Sequence, residues 1–241
     1  MLRVLVLCGF LVAALLCAFL AGIVAAEVKH PAYYKAKNMF ERITGQKQEP
    51  DRNALYYLEK ASLYEMDSRQ DYDIVFVGDS LTDGADWQSF FKDYSIANRG
   101  INGDNSRGIL ERIDNIKQTG AKRAFVMVGV NDLNRGFELT EVIDNYQSII
   151  DQLLTTKAEV FVQSTLLTRN ESTNTLILSL NQALKDFALS TPNVTYIDLN
   201  SQLAKNGKLE SQYTFDGIHL NGKGYNVWRN TLAPVLNIRN L

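Results

Sequence analysis

The stretch Ile74–Gly84 reads IVFVGDSLTDG. Four apolar residues, Ile74 to Val77, lead straight into Gly78-Asp79-Ser80. A short apolar run of this kind predicts a strand buried on both faces. In an α/β domain, ligands bind beyond the carboxyl ends of the strands. Ser80 is therefore either a turn residue or a nucleophile, and the residues elsewhere in the chain decide between the two.

From residue 73 the pattern repeats. Ala124–Val130, Glu159–Gln163 and Val194–Leu199 predict further strands, with a weaker candidate at Tyr94–Ala97. Helical periodicity falls between them, near Ser106–Gln118, Leu139–Thr155, Leu176–Ser190 and Gly224–Leu236. Strands alternating with helices imply βαβ units and a parallel sheet covered on both faces. Such a sheet brings its strand ends to one rim. Gly78-Asp79-Ser80 follows the first strand, NRGINGD (Asn98–Asp104) the second and GVND (Gly129–Asp132) the third. FDGIHLNGKGY, near the carboxyl terminus, carries Asp216 and His219 and can reach the same edge.

Composition bounds the rest. The chain has 241 residues, 46% hydrophobic and 22% charged, with a net charge of −2. These values suit one globular domain with an amino-terminal extension and give no electrostatic footprint for nucleic acid. Val4–Ala26 contains no charged residue. As a helix rising about 1.5 Å per residue it spans a hydrocarbon core of about 30 Å. Residues 1–26 are thus expected to be a membrane anchor, or a signal peptide cleaved before Glu27. An export layout places the catalytic domain outside the cytoplasm, membrane-held or secreted, although Lys29, Lys35, Lys37, Arg42 and Lys47 after the span argue the opposite orientation. Cys8 and Cys17 both lie inside the span, so residues 27–241 have no disulfide, thiol nucleophile or thiolate metal site. Residues 27–72 read as a connector with a helix over Asn53–Met66, and residues 73–241 as the folded domain.

Serine is a poor nucleophile until a base takes its proton. Of the two histidines, His30 adjoins the apolar span, which leaves His219 for the domain. Asp216, three residues earlier, is placed to orient its ring. An acyl-transfer reaction also needs donors for an oxyanion. The Ser80 amide, the Gly103 amide and the Asn131 side chain are the natural set. Each signal has a plainer reading. Gly-Asp-Ser is a common turn, Asn131-Asp132 is a plausible helix start, and a lone histidine is usually structural. Asp79, Asp83, Asp104 and Asp132 also allow a divalent-metal phosphatase. It is the joint presence of the groups, in order and at strand ends, that favours a nucleophilic serine.

GDSLTDG, NRGINGD, GVND and DGIH together resemble the four sequence blocks of the SGNH hydrolases, or GDSL esterases and lipases, and the likeness covers about residues 73–236. It implies a three-layer α/β/α sandwich with a five-stranded parallel sheet. Ser80 would be the nucleophile, Asp216 and His219 would complete the triad, and Gly103 and Asn131 would join the Ser80 amide as oxyanion donors. No metal or cofactor is implied. GINGDNSRGILERID and DGIHLNGKGY look closest to the subgroup of platelet-activating-factor acetylhydrolase-like and lysophospholipase-like enzymes. The expected substrate is a small-molecule or glycan ester, with carbohydrate O-deacetylation favoured. Lysophospholipase, short-chain lipase or thioesterase activity is the alternative, and a catalytically silent binding domain a third reading.

Overall fold

The computed structural model describes residues 52–238, with side chains from residue 55 onward. The chain divides into two compact units, Met1–Tyr56 and Tyr57–Leu241. The first lies almost wholly outside the described residues, as do Val4–Ala26 and the lysines that follow it. No described helix is long and apolar enough to cross a membrane.

The helix expected in the connector is α1, Arg52–Glu65. Five strands form the main sheet, β1 Ile74–Gly78, β2 Ile96–Gly100, β3 Arg123–Met127, β4 Glu159–Gln163 and β5 Val194–Ile197, and Ala204–Lys205 pairs with Lys208–Leu209 in a small antiparallel hairpin. All neighbours are parallel, in the order β2-β1-β3-β4-β5. The order reverses between β1 and β3, so the end of β1 lies at the topological switch point, where doubly wound sheets bind ligands.

Successive side chains of each strand enter opposite layers. Val75, Val77, Val126, Val160 and Val162 face a layer built by α4 (Ser106–Glu111), α5 (Ile113–Lys117), α7 (Leu139–Leu154) and α8 (Glu171–Ser190). Helix α7 buries Val142, Tyr146, Ile149, Ile150 and Leu153, one helical stripe against the sheet. Ile74, Phe76, Phe125, Met127 and Phe161 face the other layer. There they meet α2 (Ser80–Asp83), α3 (Trp87–Phe90), α9 (Asn200–Leu203) and α10 (Gly222–Leu232). This second layer is aromatic. Phe76 stacks on Trp87 at 3.9 Å and on Phe125 at 5.0 Å, Phe125 stacks on Phe161 at 4.6 Å, and Trp87 meets Trp228 edge-on.

The fifth strand stops at Ile197 rather than Leu199, α8 starts at Glu171 rather than Leu176 and α10 ends at Leu232 rather than Leu236; three further boundaries move for a local reason. The helix expected over Ser106–Gln118 breaks at Arg112, whose side chain turns inward and is 6% exposed. The third strand stops at Met127 because Gly129, at φ +121°, turns the chain into α6, Val130–Asn134. The second strand runs to Gly100, later than its apolar content suggests. Its Arg99 is buried, bonded to Asp67 at 2.6 Å and laid over the Tyr64 ring.

The α10 layer is locked to the sheet by one buried polar bond, Trp228 Nε1 donating to Gln163 Oε1 at 2.6 Å. The Gln163 Nε2 has no partner among the described residues. Trp228→Phe should therefore destabilise the protein by about 1–3 kcal/mol, since it leaves the Gln163 amide unpaired at both ends. Adding Gln163→Leu should recover most of that loss. Chemical denaturation of the two variants and wild type reads the difference.

Candidate active site

The turn after β1 explains its own sequence. A Cβ on Gly78 would lie 2.2 Å from Thr82 Oγ1 and 2.4 Å from the Met127 carbonyl oxygen, so only glycine lets α2 start against the sheet. Asp79 caps α2, its carboxylate accepting from the Leu81 amide at 3.0 Å. Ser80 is the first residue of that helix and stands half-buried at the rim.

The carboxyl-terminal loop reaches Ser80. His219 Nε2 lies 2.8 Å from Ser80 Oγ, and His219 Nδ1 lies 2.6 Å from Asp216 Oδ2. The other Asp216 oxygen accepts from the Ile218 and His219 amides at 2.9 and 2.8 Å, which fixes the carboxylate beside the imidazole. Partial burial disfavours the Asp216 carboxylate. The hydrogen bonds from the His219 ring and from the two amides outweigh that and hold its pKa well below the ordinary range. His219 is the only histidine among the described residues.

The expected oxyanion donors come from the two neighbouring strands. Gly103 follows β2 at φ +71°, a left-handed turn that favours glycine. Among the described residues neither its amide nor that of Ser80 donates to a protein acceptor. Asn131, on α6, gives one amide hydrogen to the Asp104 carbonyl at 2.8 Å, which orients the side chain and leaves its second hydrogen uncommitted. So the residues singled out in the sequence come together: Ser80 with His219 and Asp216, and Asn131 with the Gly103–Asp104 turn.

The aspartates have other work. Asp83 pairs with Lys60 at 2.8 Å, and Asp104 with Arg112 at 2.9 Å. Asp132 lies in the first turn of its own helix, as expected, and it also accepts from the Ser106 amide at 3.0 Å and the Ser106 hydroxyl at 2.5 Å, so it anchors the start of α4. Among the described residues no group of three metal-ligating side chains converges.

Sequence reasoning missed the arginines beneath the rim. Arg112 donates from Nη2 to the Arg99 carbonyl at 2.8 Å and the Gly78 carbonyl at 3.3 Å, so it holds the ends of β1 and β2 while its Nε binds Asp104. Arg135 donates to the Gly103 carbonyl at 2.8 Å. No local signal marks either residue, because their partners are distant carbonyls.

Comparison with known proteins places this geometry in a family. Residues 76–227 match the GDSL-like Lipase/Acylhydrolase family. The chain belongs to that family. The platelet-activating factor acetylhydrolase IB subunit alpha2 of Rattus norvegicus is 30% identical over 164 residues, which is 64% of this chain and 71% of that protein. The N-acylneuraminate cytidylyltransferase of Streptococcus agalactiae serotype V is 29% identical over 147 residues, 60% of this chain. Only 34% of that relative is covered, so the chain spans about a third of its length. Among solved structures, a GDSL-like lipase from Bacteroides thetaiotaomicron superposes with a TM-score of 0.67 at 21% identity, covering 75% of this chain and 97% of that one. A catalytic mutant of an acetylxylan esterase from Geobacillus stearothermophilus gives a TM-score of 0.57 at 15% identity, covering 69% and 94%. These two likenesses show the shared fold.

Burial, with the carboxylates of Asp104 and Asp132 nearby, pushes the Asp79 pKa up to about 7 against the bond from Leu81. The folded state thus holds this proton more tightly than the unfolded chain. The stability it contributes is present in acid and is lost as pH rises through about 7. Asp79→Asn keeps the acceptor for Leu81 and removes the ionisation. Its Tm should match wild type near about pH 4 and exceed it above about pH 8. Thermal melts across that range measure the crossover.

Proposed function

We propose that the protein cleaves carboxylic esters through a Ser80-His219-Asp216 acyl-enzyme mechanism. The observation that carries the reading is the continuous contact from Ser80 Oγ through the His219 ring to the Asp216 carboxylate. Ser80 Oγ attacks the ester carbonyl carbon while His219 Nε2 takes its proton. The new oxyanion faces the Ser80 and Gly103 amides and the second Asn131 amide hydrogen. Collapse expels the alcohol, which receives its proton from His219. Water, deprotonated by the same nitrogen, then releases the carboxylic acid and frees Ser80. Asp216, held ionised, keeps Nδ1 as the donor and favours the imidazolium formed on the way.

The favoured substrate is an acetylated carbohydrate. The site is open: the His219 and Asp216 side chains are 48% and 53% exposed. A long acyl chain gains about 0.8 kcal/mol for each methylene it buries, so it binds best in an enclosed apolar slot. An acetyl group needs none, and an open rim admits a bulky polar alcohol. The acetyl chemistry in the names of the acetylhydrolase and acetylxylan esterase relatives points the same way.

Full-length protein in detergent should hydrolyse acetylated sugars faster than lysophospholipids, and acetyl esters faster than longer acyl esters. A fluorophosphonate probe should label Ser80 alone, and Ser80→Ala should abolish both labelling and turnover. Labelling that survives in Ser80→Ala would overturn the mechanism. A preference for lysophospholipids would replace the carbohydrate reading with a lysophospholipase.

The oxyanion role has its own signature. Asn131→Ala should lose about 2.7–4 kcal/mol of transition-state stabilisation, if it acts as side-chain donors do elsewhere. The loss should fall on kcat, because the charge exists only in the transition state. Steady-state kinetics on one acetyl ester separates that outcome from a change in KM.

A further inference from the structure

Gly103 and Asn131 come from different elements, and both serve one oxyanion only if their relative position is held. Two hydrogen bonds join those elements. Asn131 Nδ2 donates to the Asp104 carbonyl at 2.8 Å, and Arg135 Nη2 donates to the Gly103 carbonyl at 2.8 Å. Asn131 lies in α6 and Arg135 is its carboxyl-terminal cap. Residues spaced i, i+4 lie on one face of a helix. Their acceptors are consecutive carbonyls of one turn, which the Asp104 amide closes by donating to the Ile101 carbonyl at 3.0 Å.

A single bond is a pivot, whereas two fix an orientation. Held by Asn131 alone, the turn would be free to swing about the Asp104 carbonyl. Gly103, at φ +71°, opposes that motion less than a residue with a side chain would. The swing would carry the Gly103 amide away from the oxygen it has to meet. Among the described residues, Arg135 is the donor that the Gly103 carbonyl has.

The surroundings of Arg135 leave it no other task. Among the described residues it pairs with no carboxylate, unlike Arg99, Arg107 and Arg112, and its Nη1 is buried without a partner. A guanidinium kept partly out of water with no counter-ion is costly. Its one bond goes to the residue whose amide faces the reacting oxygen. A cation so placed also favours negative charge there, which exists only in the transition state. We propose that Arg135 is a positioning residue of the oxyanion hole: it clamps the Gly103 turn onto α6 so that the Gly103 amide and Asn131 converge on one oxygen. The inference rests on the Ser80 mechanism proposed above, and Arg135 acts in it through Gly103 rather than by touching the ester.

The test is steady-state hydrolysis of a small acetyl ester by the full-length chain, with rates expressed per serine titrated by a fluorophosphonate. Arg135→Met removes the donor and the charge. Its kcat should fall by about tenfold to a hundredfold, as small misplacements of catalytic groups do, with KM within about twofold of wild type. Arg135→Lys keeps a charged donor and should recover about threefold or more of that loss. A trifluoromethyl ketone, which forms a tetrahedral oxyanion on the serine, should inhibit Arg135→Met more weakly by the same factor as kcat/KM falls. The midpoint of the pH profile should not move, because the His219–Asp216 pair is untouched. Where Arg135→Met fails to fold, Arg135→Gln, polar but shorter, gives the same comparison. A purely structural role would lower the unfolding midpoint and leave kcat per titrated serine unchanged, and that result overturns the proposal, as does a loss confined to KM. Turnover that persists in Ser80→Ala would overturn the mechanism itself. Full turnover in Arg135→Met beside an inactive Ser80→Ala would overturn the positioning role alone.

Discussion

The rim of the sheet depends on one buried ion pair. Arg112 and Asp104 are both almost fully enclosed, with side chains 6% and 1% exposed. Removing two charges from water is expensive, and attraction recovers the cost only if the remaining polar atoms are also bonded. Here Nη2 of the guanidinium reaches the carbonyls of Gly78 and Arg99 and Asp104 accepts from the Asn105 amide at 2.9 Å, which leaves Nη1 as the one atom of the pair without a partner among the described residues. One side chain thus joins the ends of β1 and β2 to the turn that contains Gly103. Ser80 lies two residues beyond Gly78, so nucleophile and turn are referred to the same guanidinium.

Three carboxylates are buried under this rim, and each is handled differently. Asp104 is neutralised by Arg112. Asp132 takes the Ser106 amide and hydroxyl, and Asn145 in turn donates to that hydroxyl at 3.0 Å. Asp79 accepts from the Leu81 amide, and burial outweighs that bond and raises its pKa to about 7. Asp216 contrasts with all three: its side chain is about half exposed, and hydrogen bonds keep it ionised. A carboxylate that stabilises an imidazolium has to carry charge, whereas one that caps a buried turn does not.

The two helical layers show how much of the fold was legible. Val75 and Val77 face one layer and Ile74 and Phe76 the other, so an uninterrupted apolar run was the correct signature of a strand covered on both sides. The same rule placed β4 at its true limits, Glu159–Gln163. It misplaced β2, because Asn98 and Arg99 are polar, one half-buried and the other buried, through partners remote in sequence. The Asn98 amide reaches the Thr82 carbonyl at 3.1 Å, and Arg99 reaches Asp67. The break at Arg112 was invisible for a similar reason. Nothing in GILERID distinguishes an arginine facing water from one facing two strand ends.

The sequence by itself determined the sheet, its parallel sense and the identity of Ser80, Gly103, Asn131, Asp216 and His219 as candidates. Each follows from local patterning: apolar runs ending in small polar turns, and one histidine available to the domain. Only the tertiary structure decided which groups meet. Ser80 and His219 are separated by 139 residues and come within 2.8 Å because the loop before α10 folds over the end of β1. The uncommitted hydrogen of Asn131 and the raised pKa of Asp79 are decided in the same way. Each depends on burial and on partners brought close by packing, and neither is encoded in the residues adjacent along the chain.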